Sequence, residues 1–299
     1  MLPSLANRSL PHAMNSYPFR ILNVFAEQRL GGNPLCVFED GEGLDDATMQ
    51  ALAQQFNLSE TTFILPSAEA DARVRIFTTG YEMRFAGHPT LGTAEVVRDL
   101  KRCGDTLSLE VKAGRVPVTA DGSRWTLTAP SHGAPKRKIP EQAPREIAAM
   151  LGLSESDLLD APCWIDTGTD QLLLPLNSVD AVRRAAPDGS RLEQWPLSSQ
   201  KRRSAYLFAF DQERPGTVVC RYFFTKDGGG VAEDPGTGSA CANLGGWLIA
   251  TGKPTPARFL LEQGDLVGRP CRLELNVLAD GAITVGGRVI ELGRGAIQL

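Results

Sequence analysis

The sequence predicts an α+β fold of two similar lobes. Each is a central buried helix wrapped by a barrel-like, mostly antiparallel sheet. Three observations predict it. Residues 221–247, RYFFTKDGGGVAEDPGTGSACANLGGW, read as a strand, a glycine loop, an acidic Glu233-Asp234-Pro235, a Gly236-Thr237-Gly238-Ser239 turn and a helix. From Pro235 to Gly252 no residue carries a charge, and small residues alternate with Leu244, Trp247, Leu248 and Ile249. A helix without a polar face is buried on every side, and this one has too many glycines and too short an apolar run to span a membrane. Residues 75–100, RIFTTGYEMRFAGHPTLGTAEVVRDL, repeat the same order: an apolar strand, a loop, then a helix starting at Ala86-Gly87-His88-Pro89-Thr90. Phe77-Thr78 align with Phe224-Thr225, and Gly87 falls near Gly236. The segments after the two helices repeat as well, with LEVKAG at 109–114 echoed by LEQG at 261–264, and TADG at 119–122 by LADG at 278–281. A repeat of half the chain predicts a duplicated unit rather than a solenoid of short repeats.

Residues 1–16 read as a flexible tail, without the apolar core of a signal peptide. The N-terminal lobe is assigned to 17–130 and the C-terminal lobe to 131–299, with the last strand, 288–299, available to complete the first lobe. Strand 19–25 leads through Gly31-Gly32-Asn33-Pro34 into strand 35–38, in a hairpin-like pair. Asp45 or Asp46 starts a helix to Phe56, with Met49, Leu52, Ala53 and Phe56 at helical spacing and Asn57 as its C-cap. Leu58-Ser59-Glu60 then precedes the apolar strand 61–65. The first buried helix is closed by Gly104, and strands come next near 107–111, 115–119 and 125–129.

The Pro-, Lys- and Gly-rich segment 129–144 reads as the linker between the lobes. Beyond it lie short helical pieces at 145–151 and 155–159, and a turn at 166–169 precedes strand 171–176. Residues 179–185 read as helix and 189–200 as irregular. Strands at 205–210 and 218–224 feed the second buried helix. The chain then closes with strands at 259–261, 272–277, 283–285 and 288–292.

The 299 residues carry a net charge of −4, which gives no nucleic-acid footprint. Lys201-Arg202-Arg203 is a short basic run next to a strand and reads as a solvated loop. Six cysteines without a CxxC pair fit free thiols in a reducing cytoplasm and carry no zinc signature. No metal is expected.

Candidate chemistry gathers at few positions. Glu60 before a strand is, by residue type alone, an exposed charge. Turned into a closed cleft, its pKa would rise and make it a general acid or base near neutrality. His12 falls in the tail and His132 in the linker, so His88 alone stands beside a buried helix start, where a structural role is equally open. Ser239 with His88 lacks the G-x-S-x-G elbow of a hydrolase. Asp234 stands at a helix mouth, where acidic caps are common. Gly236-Thr237-Gly238 opens free N–H groups that attract an anion, but without G-K-[ST] or a complete dinucleotide fingerprint. A carboxylate suits it better than a nucleotide.

Together VFAEQRLGGNPLCVF (24–38), LSETTF (58–63), AGHPTLGT (86–93) and VAEDPGTGSACA (231–242) resemble the phenazine-biosynthesis-like (PhzF) family, which shares the diaminopimelate epimerase fold. The motifs occur in the expected order. The resemblance implies two lobes with the active site between them, no cofactor, a small carboxylate-bearing substrate and a homodimer. It places Glu60 as the catalytic acid/base, with His88 and Asp234 assisting. Asn33, Gly87, Gly236, Thr237, Gly238 and Ser239 line the substrate pocket. Diaminopimelate epimerases carry a cysteine at each helix mouth, where this chain has Ala86 and Pro235. Cys241, one turn into the helix, reads as a structural thiol. The resemblance therefore implies isomerisation by proton transfer with a single glutamate. A ligand-binding protein of the same fold and a two-base epimerase are the other readings.

Overall fold

The computed structural model describes residues 15–129, 134–226 and 229–299. Most of the expected tail, His12 and His132 lie outside the described residues. The first half contains β1 (Ser16–Val24), β2 (Asn33–Phe38), α1 (Asp46–Phe56), β3 (Glu60–Leu65), β4 (Ala72–Phe77), β5 (Glu82–Met83), α2 (Gly87–Lys101), β6 (Thr106–Val111), β7 (Gly114–Asp121) and β8 (Arg124–Thr128). The second half contains β9 (Lys136–Lys138), α3 (Pro144–Met150), β10 (Cys163–Asp166), β11 (Asp170–Pro175), α4 (Val179–Arg184), β12 (Ser204–Phe210) and β13 (Thr217–Thr225). It ends with β14 (Val231–Asp234), α5 (Gly238–Ala250), β15 (Ala257–Gln263), β16 (Cys271–Val277) and β17 (Ile283–Gln298).

The local chemistry matches these elements. Asp45 caps α1 by accepting from Thr48 N at 2.8 Å, and Asn57 closes it in the left-handed conformation at φ 53°. Short polar side chains suit both roles. The far end of α2 differs from expectation: Arg102, at φ 51°, takes the left-handed position, two residues before Gly104.

Around α2 the strands close into a ring: β1–β2–β3–β4–β6–β7–β8–β17 and back to β1. Closure leaves no sheet edge within the ring. A second series, β9–β10–β11–β12–β13–β15–β16–β17, curves around α5. The duplication is visible in strand direction. Two parallel pairs, β2–β3 and β4–β6, recur in the second half as β11–β12 and β13–β15, while the other ring pairs are antiparallel. This is the diaminopimelate epimerase-like fold.

Three features differ from the sequence reading. The 129–144 linker contains β9, which pairs with β10; at four residues, β10 has too short a signal to be seen in advance. β14 closes a hairpin with β13 where a glycine loop alone was expected. The two expected terminal strands are one, because Gly286 and Gly287 do not interrupt β17. They are instead the places where other chain segments press on it. A Cβ on Gly286 would lie 2.8 Å from Trp125 O, and one on Gly287 2.6 Å from Phe25 Cδ1.

β17 therefore serves both halves. Its first residues pair with β16 and with β8 (Thr284↔Thr128), and its later ones with β1 (Val289↔Val24 through Gln298↔Ser16). Arg20, 2 % exposed, reinforces the second pairing by donating to Glu39, Asp99 and Glu291 at 2.5, 2.6 and 3.1 Å. Partnering of this kind is what lets a charge stay buried.

One continuous apolar core joins both helices, from Leu91, Val96 and Trp125 to Leu244, Trp247 and Val285. Smaller clusters lie outside the rings. α1 covers Phe38, Phe63 and Phe77, while α3 and α4 cover Leu172, Leu174 and Leu207. Among the described residues no helix is long and apolar enough to cross a membrane.

Because Trp125 O is fixed backbone, Gly286→Ala should act as an overpacking substitution. A loss of about 1–3 kcal/mol in urea unfolding is expected; an unchanged midpoint would show that β8 and β17 can separate there.

Candidate active site

The two buried helices meet at their N-termini. An ideal Cβ on Gly87 would lie 3.4 Å from Gly238 Cα, so the first turns of α2 and α5 abut through glycine. α1 and α4 have side-chain caps from Asp45 and Ser178, whereas Ala86 and Thr237 give α2 and α5 none. Two positive helix ends thus face one place without a side-chain acceptor of their own. Phe25 supports the junction from below. It adopts φ 61°, unusual for a bulky residue, and its ring packs against the Gly236, Gly238 and Gly287 positions.

Glu60, His88, Asn33 and Asp234, scattered in sequence, gather at this junction. Glu60 is the first residue of β3, not part of the preceding loop, and pairs with Leu35 on β2. Its Oε2 stands 3.1 Å from His88 Nε2, with both side chains largely buried. Neither atom makes an aligned hydrogen bond to any described residue, so both keep capacity for a third group. Burial, and then the nearby Asp234 charge, push the Glu60 carboxyl up to about 8. Burial pushes the His88 imidazole down to about 3, against the backbone hydrogen bond to Pro34. At neutral pH the pair is therefore mostly carboxylic acid and neutral imidazole.

Asn33 selects the tautomer. Its Nδ2 lies 2.9 Å from Asp234 Oδ1, 3.0 Å from Gly236 O and 3.3 Å from His88 Nδ1. An amide has two hydrogens, and the two oxygens at shorter distance take them. The reverse amide orientation would set Oδ1 against two acceptors, which excludes it. His88 Nδ1 then keeps its own hydrogen for the Pro34 carbonyl, leaving the Nε2 lone pair on the Glu60 side.

Asp234 also feels burial, which raises its pKa, but Thr237 Oγ1, Asn33 Nδ2 and the Gly236 backbone N–H all donate to its carboxylate. Of two nearby carboxyls, the one with donors ionises first, so the proton resides on Glu60. Gln263 completes this frame. It donates to Asp234 O at 2.8 Å and Thr237 Oγ1 at 3.0 Å, and accepts from Thr237 N at 3.3 Å. The donors of Gly236 and Thr237 are thus turned inward. The first turns Gly87-His88 and Gly238-Ser239 remain for a ligand.

Ser239 belongs to a different network. Gln171 donates to its Oγ at 2.9 Å and approaches Tyr222 Oη at 3.4 Å. Asn243 fixes Gln171 from inside α5 through Nδ2 to Oε1 at 2.8 Å, and accepts from Thr167 N and Oγ1. An apolar pocket adjoins this side, lined by Phe85, Leu91, Leu127 and Val285 together with Gly87 and Ser239. Gln171, Tyr222, Asn243 and Gln263 escaped the sequence reading because neutral amides and phenols leave no charge pattern. Asn243, the only amide side chain in the uncharged α5 stretch, was the one available signal. Cys241 is fully buried, and burial holds its thiol well above the ordinary range. Among the described residues no group of three or more His, Cys, Asp or Glu is arranged to hold a metal ion.

A closed barrel and a second curved sheet, each around a buried helix, with the two helices abutting at a polar cleft, define an enzyme of the diaminopimelate epimerase-like class. The model of the phenazine biosynthesis-like protein family (PhzC-PhzF) matches residues 22–293. The chain belongs to this family, as an isomerase. It is 39 % identical to an uncharacterized isomerase of Pasteurella multocida, over 95 % of each chain. It is 33 % identical to the trans-2,3-dihydro-3-hydroxyanthranilate isomerase of Pseudomonas aeruginosa, over 93 % of this chain and 98 % of that one. A Bacillus anthracis PhzF-family crystal structure superposes with a TM-score of 0.81 at 23 % identity, covering 96 % of this chain and 100 % of the other.

Two outcomes are expected. Glu60 is raised from 4.5 to about 8, so its contribution to stability is fully present below pH 4.5 and is lost as pH rises through about 8. Glu60→Gln lacks this titration. The melting temperature of the variant relative to wild type should climb between these limits and then level off; a pH-independent difference would contradict a raised Glu60. Asn33→Ala leaves Asp234 and Gly236 O short of a donor and should cost about 2–3 kcal/mol, measured by chemical unfolding.

Proposed function

We propose that this protein is a cofactor-independent isomerase that moves a proton, and with it a double bond, within a small carboxylate-bearing metabolite. Glu60 is the single acid/base. The observation that carries this reading is the Glu60–His88 pair: a buried carboxyl with its pKa near 8, beside a neutral imidazole, with unfilled bonding capacity at the junction of two uncapped helices. A pKa close to neutrality lets one group both accept and return a proton.

In the proposed cycle the ionised form of Glu60 removes a proton from one carbon of the substrate. The electron pair shifts through the adjacent double bond. Glu60 then delivers the same proton to another carbon on the same face, and atoms and charge balance without a second substrate. His88, with Nδ1 held by the Pro34 carbonyl, orients the carboxyl and can share its proton. Asp234, held ionised by its three donors, fixes Asn33 and the α5 turn. The free N–H groups of both helix mouths stabilise the negative charge that develops when the proton leaves.

The opposite mouth supports a one-base reaction. There Ser239 and Gln171 are not bases near neutrality, the Asp234 carboxylate is engaged by Thr237, Asn33 and Gly236, and Ala86 and Pro235 stand where a two-base epimerase needs its thiols. The relative from Pseudomonas aeruginosa makes trans-2,3-dihydro-3-hydroxyanthranilate a reasonable first compound to try.

The test is proton exchange in D2O, monitored by NMR, with that compound and a panel of small amino and hydroxy acids. Wild type should place deuterium in at least one compound, and Glu60→Gln should slow this by about 100-fold or more. Exchange undiminished in Glu60→Gln would remove Glu60 from the reaction.

A further inference from the structure

Ser239 stands in the first turn of α5, and a chain of buried amides fixes which way its hydroxyl points. The chain begins on backbone. Thr167 N donates to Asn243 Oδ1 at 2.9 Å, and Thr167 Oγ1 donates to the same oxygen at 2.7 Å. A backbone N–H can only donate, so the Asn243 oxygen must face it and the amide nitrogen must face away. That nitrogen donates to Thr169 O at 2.9 Å and to Gln171 Oε1 at 2.8 Å, which uses both of its hydrogens. Gln171 therefore turns its own nitrogen to Ser239 Oγ, at 2.9 Å, and to Tyr222 Oη, at 3.4 Å. Reversing either amide would set like groups against each other. Two backbone groups, Thr167 N and Thr169 O, thus decide the orientation of both.

Packing alone does not call for this chain. Asn243 is fully buried and Gln171 is 5 % exposed. The equivalent position of α2, counted from its first residue, is Gly92, where a Cβ would press on Leu35 and Val24. One helix is enclosed by its sheet without an amide at the place where the other has one. The effect of Gln171 is on Ser239. Its amide nitrogen fills one lone pair of the Ser239 oxygen and cannot accept the hydroxyl hydrogen. Among the described residues Ser239 Oγ has no other hydrogen-bond partner. The hydrogen is left for an acceptor beside the first turns of the two helices.

We propose that Gln171, oriented by Asn243, is a positioning residue that keeps the Ser239 hydroxyl as a donor to the substrate's carboxylate at the helix junction. This deepens, and rests on, the reading of that junction as the substrate site of the isomerase. The hydroxyl adds a side-chain donor to the free backbone N–H groups there. A donor aimed in advance loses little freedom on binding, whereas a hydroxyl left to rotate presents its lone pairs part of the time, and a carboxylate repels them.

The experiment is an NMR titration of benzoate, whose apolar ring suits the adjoining pocket of Phe85, Leu91 and Leu127. It compares wild type, Ser239→Ala, Gln171→Met and the double variant, with melting temperatures to verify folding. Ser239→Ala should weaken benzoate by about tenfold, as expected for a lost hydrogen bond to a charged group. Gln171→Met should weaken it by about threefold and add nothing in the Ser239→Ala background, because the two act as one. Gln171→Glu keeps the volume and serves where Gln171→Met does not fold. Its carboxylate accepts from both Asn243 and Ser239, so its loss should exceed that of Gln171→Met and shrink in the Ser239→Ala background. Equal losses from a Gln171 variant in both backgrounds would mean a structural role and overturn the proposal. So would wild type that does not bind benzoate. Glu60-dependent exchange with benzoate affinity indifferent to Gln171 overturns it too, while leaving the isomerase reading intact. Gln171 acting through Ser239 without Glu60-dependent exchange supports the positioning role and counts against the reaction.

Discussion

The head-to-head approach of α2 and α5 is the constraint on which the rest of the structure depends. Two positive helix ends that converge repel one another, and the near-contact of Gly87 with Gly238 leaves no side chain between them. The surrounding core overcomes this repulsion by burying both helices in one apolar mass. Asp234 reduces it further by placing a carboxylate at the mouth of α5. A set of N–H donors facing the cleft stays unsatisfied. An anionic ligand is the natural partner of such a place.

Glu60 is kept protonated against this positive background. The helix ends favour its ionised form, while burial and Asp234 oppose it, and the latter prevail. The difference between the two carboxyls is one of partners rather than of residue type. Asp234 has three donors aimed at it, whereas Glu60 has only the lone pair of a neutral imidazole beside it. Asn33 links the two by committing its amide hydrogens to Asp234 and Gly236 O, which leaves the histidine free to hold its tautomer. One buried amide thereby couples the acid/base to the turn before α5.

The duplicated fold has become asymmetric at its centre. Related helix mouths carry His88 with a carboxyl on one side, and Ser239 with amides and a phenol on the other. Apart from Asp234, whose carboxylate is engaged by three donors, groups able to transfer a proton near neutrality are confined to the first, and the second offers neutral hydrogen bonds beside an apolar pocket. β17 keeps the halves in register, since its first residues belong to the second sheet and its later ones close the first.

The repeated strand–loop–helix order, the uncharged α5 and the glycines at both helix starts determined the fold class from the sequence alone. Burial pattern is a local property of composition, and small residues at a helix mouth have few other uses. Glu60, His88, Asn33 and Asp234 were singled out by the resemblance of their motifs to the PhzF family, since by residue type alone Glu60 reads as an exposed charge and His88 equally as a structural histidine. Only tertiary structure decided the rest. Gly286 and Gly287 read as a break because their packing against Trp125 and Phe25 is non-local. Gln263 and Gln171 gained their roles from partners 26 and 68 residues away. The protonation of Glu60 depends on desolvation and on a carboxylate in the other half of the chain, and neither is a property of its neighbours in sequence.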